Sequence, residues 1–225
     1  MDDQAPVFLG NPALETERLL LRRLSLEDAE AVYAYASDPE VTRFLLWPTH
    51  GSLDDSRAFL QATLDRYARD ECGEWGIALK ETGRLIGTIG IVQAHPARGW
   101  CEIGYVVGRP HWRLGYAPEA VRRVIRFAFE DMHLNRVEAC HNVENGASGR
   151  VMEKAGMACE GLQRQKLFCK DQAVRDPARG LRGDAVGEGG RCTAPRSPTA
   201  SRRSGRTRAA GACSGWPGRP STTSR

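Results

Sequence analysis

Residues 112–119 have the composition of a loop that binds phosphate. They read W-R-L-G-Y-A-P-E, and they lie between a strand-like segment at 101–107 and an amphipathic helix. The first backbone N–H groups of a helix have no internal partners, and the helix dipole adds about half a positive charge there. Gly115 allows close approach to a ligand, and Pro118 suits a first helical turn. Strand–turn–helix units also occur in proteins without phosphate ligands, so this segment alone leaves both interpretations open.

The segments after this turn have clear periodicity. Apolar residues recur at steps of three and four, which predicts a helix over 118–132. The apolar positions are Val121, Val124, Ile125, Ala128, Phe129 and Met132. Residues 136–141 are predicted as a strand, and Asn145 and Ser148 begin a short helix from Ala147 that ends near Gly156.

The order of these motifs resembles the GNAT superfamily of acyl-CoA-dependent N-acetyltransferases. It consists of a strand with Glu, W-x-x-G-Y-A, a long helix, a strand, N-x-x-S, a short helix and K-x-G. Segments 14–22 and 37–41 fit the same resemblance, which covers about residues 11–170. Within the superfamily, the chain is most similar to the branch that contains the ribosomal-protein N-terminal acetyltransferases.

The resemblance implies an α/β (α+β) architecture, the GNAT fold. This is a mixed, mostly antiparallel sheet that is flanked by helices and splayed at the acyl-CoA site, between the strands at 101–107 and 136–141. The pantetheine arm of acetyl-CoA, a co-substrate, is expected to pair with backbone at Val106 and Val107. Its pyrophosphate is expected at the turn, where the contacts would be Arg113, Leu114, Gly115, Tyr116 and Ala117. Leu114 departs from the family, which often has Lys, Arg or Gln there, so weaker CoA binding is the largest expected consequence.

Glu102 is the leading candidate for the base that deprotonates an amine. Strand alternation puts Glu102, Gly104 and Val106 on one face of the strand. A glutamate in a partly buried groove can have its pKa raised toward neutrality, as amine deprotonation requires. Alternatively, Glu102 is solvated on an outer face or pairs with an arginine, and many members of the family use ordered water instead.

Asn145 and Ser148 have two compatible interpretations. By spacing, they are helix-capping residues. The resemblance implies that both side chains also lie near the CoA arm, where Ser148 could protonate or hydrogen-bond the leaving thiolate.

Other segments complete the predicted fold. A first strand is expected over 16–24 and a last strand near 160–168, with a hairpin formed by 74–80 and 85–93. Ser25 is expected to cap a helix up to about Tyr35, with Asp28 reinforcing the cap. Ser52 and Asp55 would do the same for a helix over 53–69.

The charge is unevenly distributed along the 225 residues. The net charge is +4, but the segment from Ala185 onward has eight arginines and one acid, so residues 1–184 carry a net charge of −3. That segment also lacks Leu, Ile, Phe, Met and Tyr, and we therefore predict that it is disordered. The expected organisation is a GNAT domain at 1–176 and an Arg/Gly/Pro/Ser-rich tail at 177–225. Since the folded part is mildly acidic, no specific nucleic-acid partner is expected.

Cysteines and histidines do not indicate a metal site. The seven cysteines include no C-x-x-C pair, which favours a reduced, cytoplasmic protein without a disulfide framework. His95, His111, His133 and His141 lack the spacing of metal ligands. No apolar run is long enough to span a membrane. Trp47 and Trp75 are instead expected to line the acceptor pocket, beside the loop at 44–51.

The sequence therefore predicts an acetyl-CoA:amine N-acetyltransferase that forms a ternary complex, without a metal or a covalent enzyme intermediate. The expected acceptor is a protein N-terminal α-amine. Open alternatives are a small-molecule amine, such as an aminoglycoside or polyamine, and an acyl-CoA-binding module that is catalytically impaired. The last alternative arises because Pro177 and Gly180 stand where the family has a hydrophobic final strand. A homodimer is a further possibility.

Overall fold

A computed structural model describes residues 10–71, 73–167 and 187–194, which form one eight-stranded sheet with helices on both faces. The strand order is β1-β2-β3-β4-β5-β6-β8-β7. Every neighbouring pair is antiparallel except β5 and β6, which are parallel. The predicted mixed, mostly antiparallel sheet is confirmed.

The strands are Leu14–Glu15 (β1), Leu19–Arg22 (β2), Glu74–Leu79 (β3), Leu85–His95 (β4), Trp100–Val107 (β5), Arg136–Asn142 (β6), Ala158–Leu167 (β7) and Gly187–Ala194 (β8). The helices are Ala29–Ala36 (α1), Pro39–Thr42 (α2), Leu53–Ala68 (α3), Tyr116–Glu130 (α4) and Gly146–Lys154 (α5). Most predicted elements are found within a few residues of these bounds. The first predicted strand, over 16–24, is the exception, because only β2 lies within it and β1 precedes it.

The helix starts follow from local chemistry. Ser25 and Asp28 form a capping box at a 3-10 turn that leads into α1, and Ser52 and Asp55 form one at α3. Each box satisfies backbone N–H groups that the helix itself leaves without acceptors. Both predicted caps are confirmed.

The two faces of the sheet have separate hydrophobic cores. The larger core packs α4 and α5 against one face and includes Trp75, Ile77, Ile89, Val124 and Phe127. The smaller one packs α1 and α3 against the other face, and Val106 contacts it from β5. The cavity described below opens on this second face. Among the described helices, none has the length and apolar composition needed to cross a bilayer.

Strand β8 lies in the segment that we expected to be disordered. Its backbone pairs with β6 on one side and with β7 on the other, and Cys192 and Ala194 are buried. A central strand gains two rows of backbone hydrogen bonds, so small side chains suffice there. Pairing in the sheet thus includes residues beyond the expected boundary at 176, whereas Pro177 and Gly180 lie outside the described residues.

Candidate active site

The turn before α4 has the backbone conformation of an anion-binding loop. Arg113 has φ 64° and Gly115 has φ 84°, both in the left-handed region. Gly115 is the N-cap of α4. Within the described part of the chain, no backbone amide of residues 114–117 donates a hydrogen bond to another backbone or side-chain group. These N–H groups are therefore placed to bind an anion at the positive end of the helix dipole.

Trp112 attaches this turn to the end of β5. Its indole Nε1 donates a hydrogen bond of 2.6 Å to the carbonyl oxygen of Val107. The sequence motif predicted a turn at this position but not this bond, which fixes the turn relative to the strand.

Two residues near the N-terminus hold the first turn of α4. The Glu119 carboxylate accepts hydrogen bonds from the Thr16 hydroxyl (2.6 Å) and from Nε of Arg18 (2.8 Å). Arg18 also donates to the carbonyl of Leu114 and lies over the Tyr116 ring, 4.6 Å from its centroid. Burial raises the pKa of the Glu119 carboxyl, but the bonds from Thr16 and Arg18 outweigh it and hold the pKa below its usual value. Glu119 is thus an anion that braces the phosphate turn.

Strands β5 and β6 separate after three paired positions. Trp100, Cys101 and Glu102 pair with 136–138 of β6. Beyond these pairs, β5 stays paired with β4 only, while β6 continues beside β8. The predicted splay between the two parallel strands is confirmed, and it begins next to Glu102.

The backbone N–H and C=O groups of every second residue of β5 face this opening. The Gly108 amide donates to the carbonyl of Ile86 in β4, at 2.8 Å. Hydrogen-bonded pairs recur at every second residue of antiparallel strands, so the backbone of Val106 is also directed at β4. Tyr105 and Val107 direct theirs to the opening. This orientation favours Tyr105 beside Val107 as the edge for a pantetheine arm, and it argues against Val106.

One cavity of about 460 Å³ joins this opening to the face that carries α1 and α3. Its lining comes from α1, the loop before α3, α3 itself, strands β3 to β6, and α5. Its volume lies within the usual range for small-molecule sites. Glu102, Ser148, Asn145 and Val106 all line it, so the predicted catalytic residues share one space.

Glu102 lies on the face of β5 that we predicted. Its neighbours Cys101 and Ile103 are buried in the larger core, whereas Glu102 is half-buried and faces the cavity. Because β5 and β6 separate just after this residue, the carboxylate lies where the opening between the two strands meets the face of the sheet that carries α1 and α3.

Ser148 lies across the opening, at the start of α5. Its hydroxyl is 2.8 Å from the Tyr105 hydroxyl, and its backbone amide donates to the Asn145 side chain at 3.2 Å. The capping role of Asn145 is therefore confirmed, and the Ser148 hydroxyl remains outside the cap. Burial raises the pKa of the Tyr105 phenol, so this group stays protonated, and it donates to the backbone carbonyl of Ser148 at 3.0 Å.

The two tryptophans expected in the pocket lie on opposite faces of the sheet. Trp47 lines the cavity. Trp75 is completely buried in the larger core, 5.7 Å from the Phe127 ring centroid, and its Nε1 donates to the carbonyl of Pro12. The prediction for Trp75 was wrong. Trp75 and Ile77 are two residues apart in β3, so their side chains lie on the same face of the sheet, toward α4.

Two further residues of the cavity were not among the predicted functional residues. Glu74 from β3 and Tyr105 from β5 both line it. Glu74 belongs to no sequence motif. His141 also lines the cavity, but the described residues contain no group of three or more potential metal ligands.

Comparison with known proteins gives one consistent result. A family model described as an acetyltransferase (GNAT) domain matches residues 18–158. The uncharacterized N-acetyltransferase p20 of Bacillus licheniformis is 38% identical over 161 residues, which cover 72% of this chain and 90% of p20.

Solved structures show the same fold. A candidate ribosomal-protein-serine acetyltransferase from Vibrio cholerae has a TM-score of 0.68 at 23% identity, covering 86% of this chain and 100% of that chain. The microcin C7 self-immunity acetyltransferase MccE, solved with acetyl-CoA and AMP, has a TM-score of 0.68 at 15% identity, covering 80% of this chain and 94% of that chain.

Proposed function

The chain belongs to the GNAT family of acetyltransferases, and we propose that it transfers an acetyl group from acetyl-CoA to a protein N-terminal α-amine. One observation carries the proposal: a single cavity contains Glu102 on the acceptor face and Ser148 at the splay. A direct transfer needs a base near the amine and a proton donor near the departing sulfur, on opposite sides of the thioester carbon.

The turn and the edge of β5 would bind acetyl-CoA. The N–H groups of Leu114, Gly115, Tyr116 and Ala117 would bind its pyrophosphate, with the exposed Arg113 adding positive charge. The backbone of Tyr105 and Val107 would pair with the pantetheine arm, and Asn145 would lie beside it. Pairing along a strand edge would direct the thioester into the cavity.

Glu102 would then act as the general base and Ser148 as the general acid. Glu102 takes a proton from the acceptor ammonium, and the free amine forms a bond to the thioester carbon. When the C–S bond breaks, the Ser148 hydroxyl delivers its proton to the sulfur and takes up the second proton that the nitrogen loses, so Ser148 ends neutral and Glu102 releases the first proton to solvent. The Tyr105 hydroxyl supports Ser148 through their hydrogen bond. None of these steps uses a metal or a covalent enzyme intermediate.

Two kinds of acceptor are compatible with this chemistry. The Vibrio cholerae neighbour is described as acting on a ribosomal protein serine, whereas MccE confers immunity to microcin C7. The motifs of this chain favour the first kind, and a small-molecule amine remains the alternative acceptor.

The test is an acceptor screen with the full-length chain. Release of the CoA thiol would be followed with acetyl-CoA and either N-terminal peptides, polyamines or aminoglycosides, and products would be identified by mass spectrometry. We expect acetylated peptide α-amines. If acetyl-CoA binds and only polyamines or aminoglycosides are acetylated, the proposed acceptor is wrong. If acetyl-CoA does not bind, the proposed reaction itself is wrong.

A further inference from the structure

Glu74 occupies a space that two glycines keep open. The register pairs Glu74 with Gly90, and Gly90 with Gly104, so these residues form one row across β3, β4 and β5. A Cβ atom on Gly90 would lie 2.7 Å from Cγ of Glu74, and one on Gly104 would lie 3.0 Å from Cγ1 of Val92. The Glu74 side chain therefore lies over Gly90 and Val92 lies over Gly104, and we call the part of the cavity between Glu74 and Gly104 the trough.

The Glu74 carboxyl lies in a hydroxyl network beneath α1. It hydrogen-bonds the buried Thr88, which also hydrogen-bonds the Tyr35 hydroxyl. Burial raises the pKa of the Glu74 carboxyl, and the bond to Thr88 and the charge of Arg66 offset this only in part. A carboxylate can accept about four hydrogen bonds, so Thr88 leaves capacity for a ligand N–H group.

The walls around this trough are apolar and largely aromatic. They include Tyr35, Phe44, Trp47, Phe59 and Val106. The ring centroids of Trp47 and His50 are 5.2 Å apart, and those of His50 and Phe59 are 6.5 Å apart, so the three rings form a continuous surface.

The charged side chains that line the cavity are all acidic. The described residues of the cavity include two carboxylates, Glu74 and Glu102, and no lysine or arginine. A single cation is therefore attracted to the floor. A polycation would have to bury its additional charges against apolar walls, which is strongly unfavourable.

We propose that the acceptor is a primary ammonium carried on a compact apolar group, and that Glu74 binds this ammonium while Glu102 removes its proton. The apolar group packs against the aromatic walls, and the ammonium lies in the trough beside Glu74 and Gly104. This inference rests on the proposed function and narrows its substrate class. Both an N-terminal residue with an apolar side chain and a free arylalkylamine have this chemistry.

Binding measurements test this without requiring turnover. 2-Phenylethylamine, the peptide Phe-Gly-Gly and spermidine would each be titrated into the full-length protein saturated with CoA. We expect both apolar amines to bind at least tenfold more tightly than spermidine. Tighter binding of the peptide indicates a protein N-terminus, and tighter binding of 2-phenylethylamine indicates a small molecule. Tighter binding of spermidine, or no binding of either apolar amine, overturns the proposal.

Glu74→Gln tests the role of the carboxyl. We expect at least tenfold weaker binding of 2-phenylethylamine, with unchanged affinity for acetyl-CoA. Glu130→Gln is a matched control, because Glu130 pairs with Arg126 on the exposed side of α4. Unchanged amine affinity in folded Glu74→Gln overturns the role of Glu74. If Glu74→Gln does not fold, Thr88→Val replaces it, and we expect about threefold weaker binding of 2-phenylethylamine. Unchanged affinity in Thr88→Val would also overturn the role of Glu74.

The pH dependence gives an independent readout. As the pH falls through the pKa of Glu74, the carboxyl is protonated and the amine binds less tightly; Glu74→Gln should lack this dependence. Titratable groups that act on Glu74 or share the cavity are Tyr35 (α1), His50 (before α3), Arg66 and Tyr67 (α3), Glu102 (β5), and Cys140 and His141 (β6). An acid limb that persists in Glu74→Gln belongs to one of these and contradicts the assignment.

Failure of this inference is distinguishable from failure of the proposed function. If acetyl-CoA binds and other amines are acetylated, only the acceptor class and the role of Glu74 are wrong. If acetyl-CoA does not bind to the wild-type chain, the proposed function fails.

Discussion

The two ends of the cavity are built in different ways. The end that we propose for acetyl-CoA presents the backbone N–H groups of residues 114–117 and the strand edge at Tyr105 and Val107. The acceptor end uses side chains from α1, the loop before α3, α3, β3, β4 and β5, which sequence separates by up to about 70 residues. Glu102 and Ser148 lie where the two ends meet.

Because the two ends depend on different residues, binding of the two substrates can be altered separately. A backbone site depends on local conformation, so few side-chain changes remove it. A side-chain site depends on each contributing residue, and single substitutions can therefore reshape it. Changes in the turn should alter affinity for acetyl-CoA, changes in the trough should alter acceptor binding, and changes at the junction should alter turnover.

Glu102→Gln should have the largest effect on turnover. We expect kcat/KM for the acceptor to fall about 100-fold or more at neutral pH, because a general base contributes roughly that much. The loss should shrink as the pH rises toward the pKa of the amine, since more acceptor is then already deprotonated. A wild-type pH–rate profile in this variant would remove Glu102 from the mechanism.

Ser148→Ala should reduce kcat by about 10- to 100-fold. This effect is smaller than that of Glu102→Gln because a thiol with a pKa of about 8–9 is a good leaving group without protonation. Its melting temperature should fall only slightly, since the cap is made by the Asn145 side chain and the Ser148 backbone amide, and the Tyr105 hydroxyl keeps its bond to the Ser148 carbonyl. Asn145→Ala is the contrasting variant and should lose about 1 kcal/mol of stability. Equal loss of stability in both variants would indicate that Ser148 is only structural.

Gly115→Ala should raise the KM for acetyl-CoA about tenfold. A left-handed residue other than glycine costs about 1–2 kcal/mol, and about 1.4 kcal/mol is a factor of ten. The added methyl group would also lie 3.3 Å from Nη2 of Arg18. Gly83→Ala is a matched control, with φ 68° in the β3–β4 turn and no atom within 4 Å of the new methyl group. An equal KM increase in both variants would contradict a local phosphate site.

Trp47→Ala should have the smallest effect, changing relative kcat/KM among acceptors by about fivefold, since one aromatic wall contributes about 1 kcal/mol beyond its neighbours. Acetyl-CoA affinity should not change, because Trp47 belongs to the acceptor end. A shift in acetyl-CoA affinity without a change in acceptor preference would place Trp47 at the wrong end of the cavity.

The turn before α4 and the helix starts could be predicted from the sequence because their determinants are local. The glycine, the helix start and the Asn145 cap act over three to five residues, so their spacing alone identifies them. The bonds from Thr16 and Arg18 to Glu119 were not predictable in this way, since they join residues about 100 positions apart.

The acceptor end required the register of the sheet. Glu74 becomes a floor residue only because Gly90 and Gly104 align with it across two neighbouring strands. Strand alternation beside Ile77 could have assigned Trp75 to the core, but that signal competed with the expectation of an aromatic pocket. Strand β8 was missed because its stability comes from pairing on both sides rather than from large apolar residues.

The most direct test of the separation between the two ends is calorimetric titration of acetyl-CoA into the wild-type chain, Gly115→Ala and Glu74→Gln. We predict micromolar binding to the wild type, the same affinity in Glu74→Gln, and about tenfold weaker binding in Gly115→Ala. Absence of binding to the wild type, or equal weakening in both variants, would contradict the assignment of acetyl-CoA to the turn and of the acceptor to the trough.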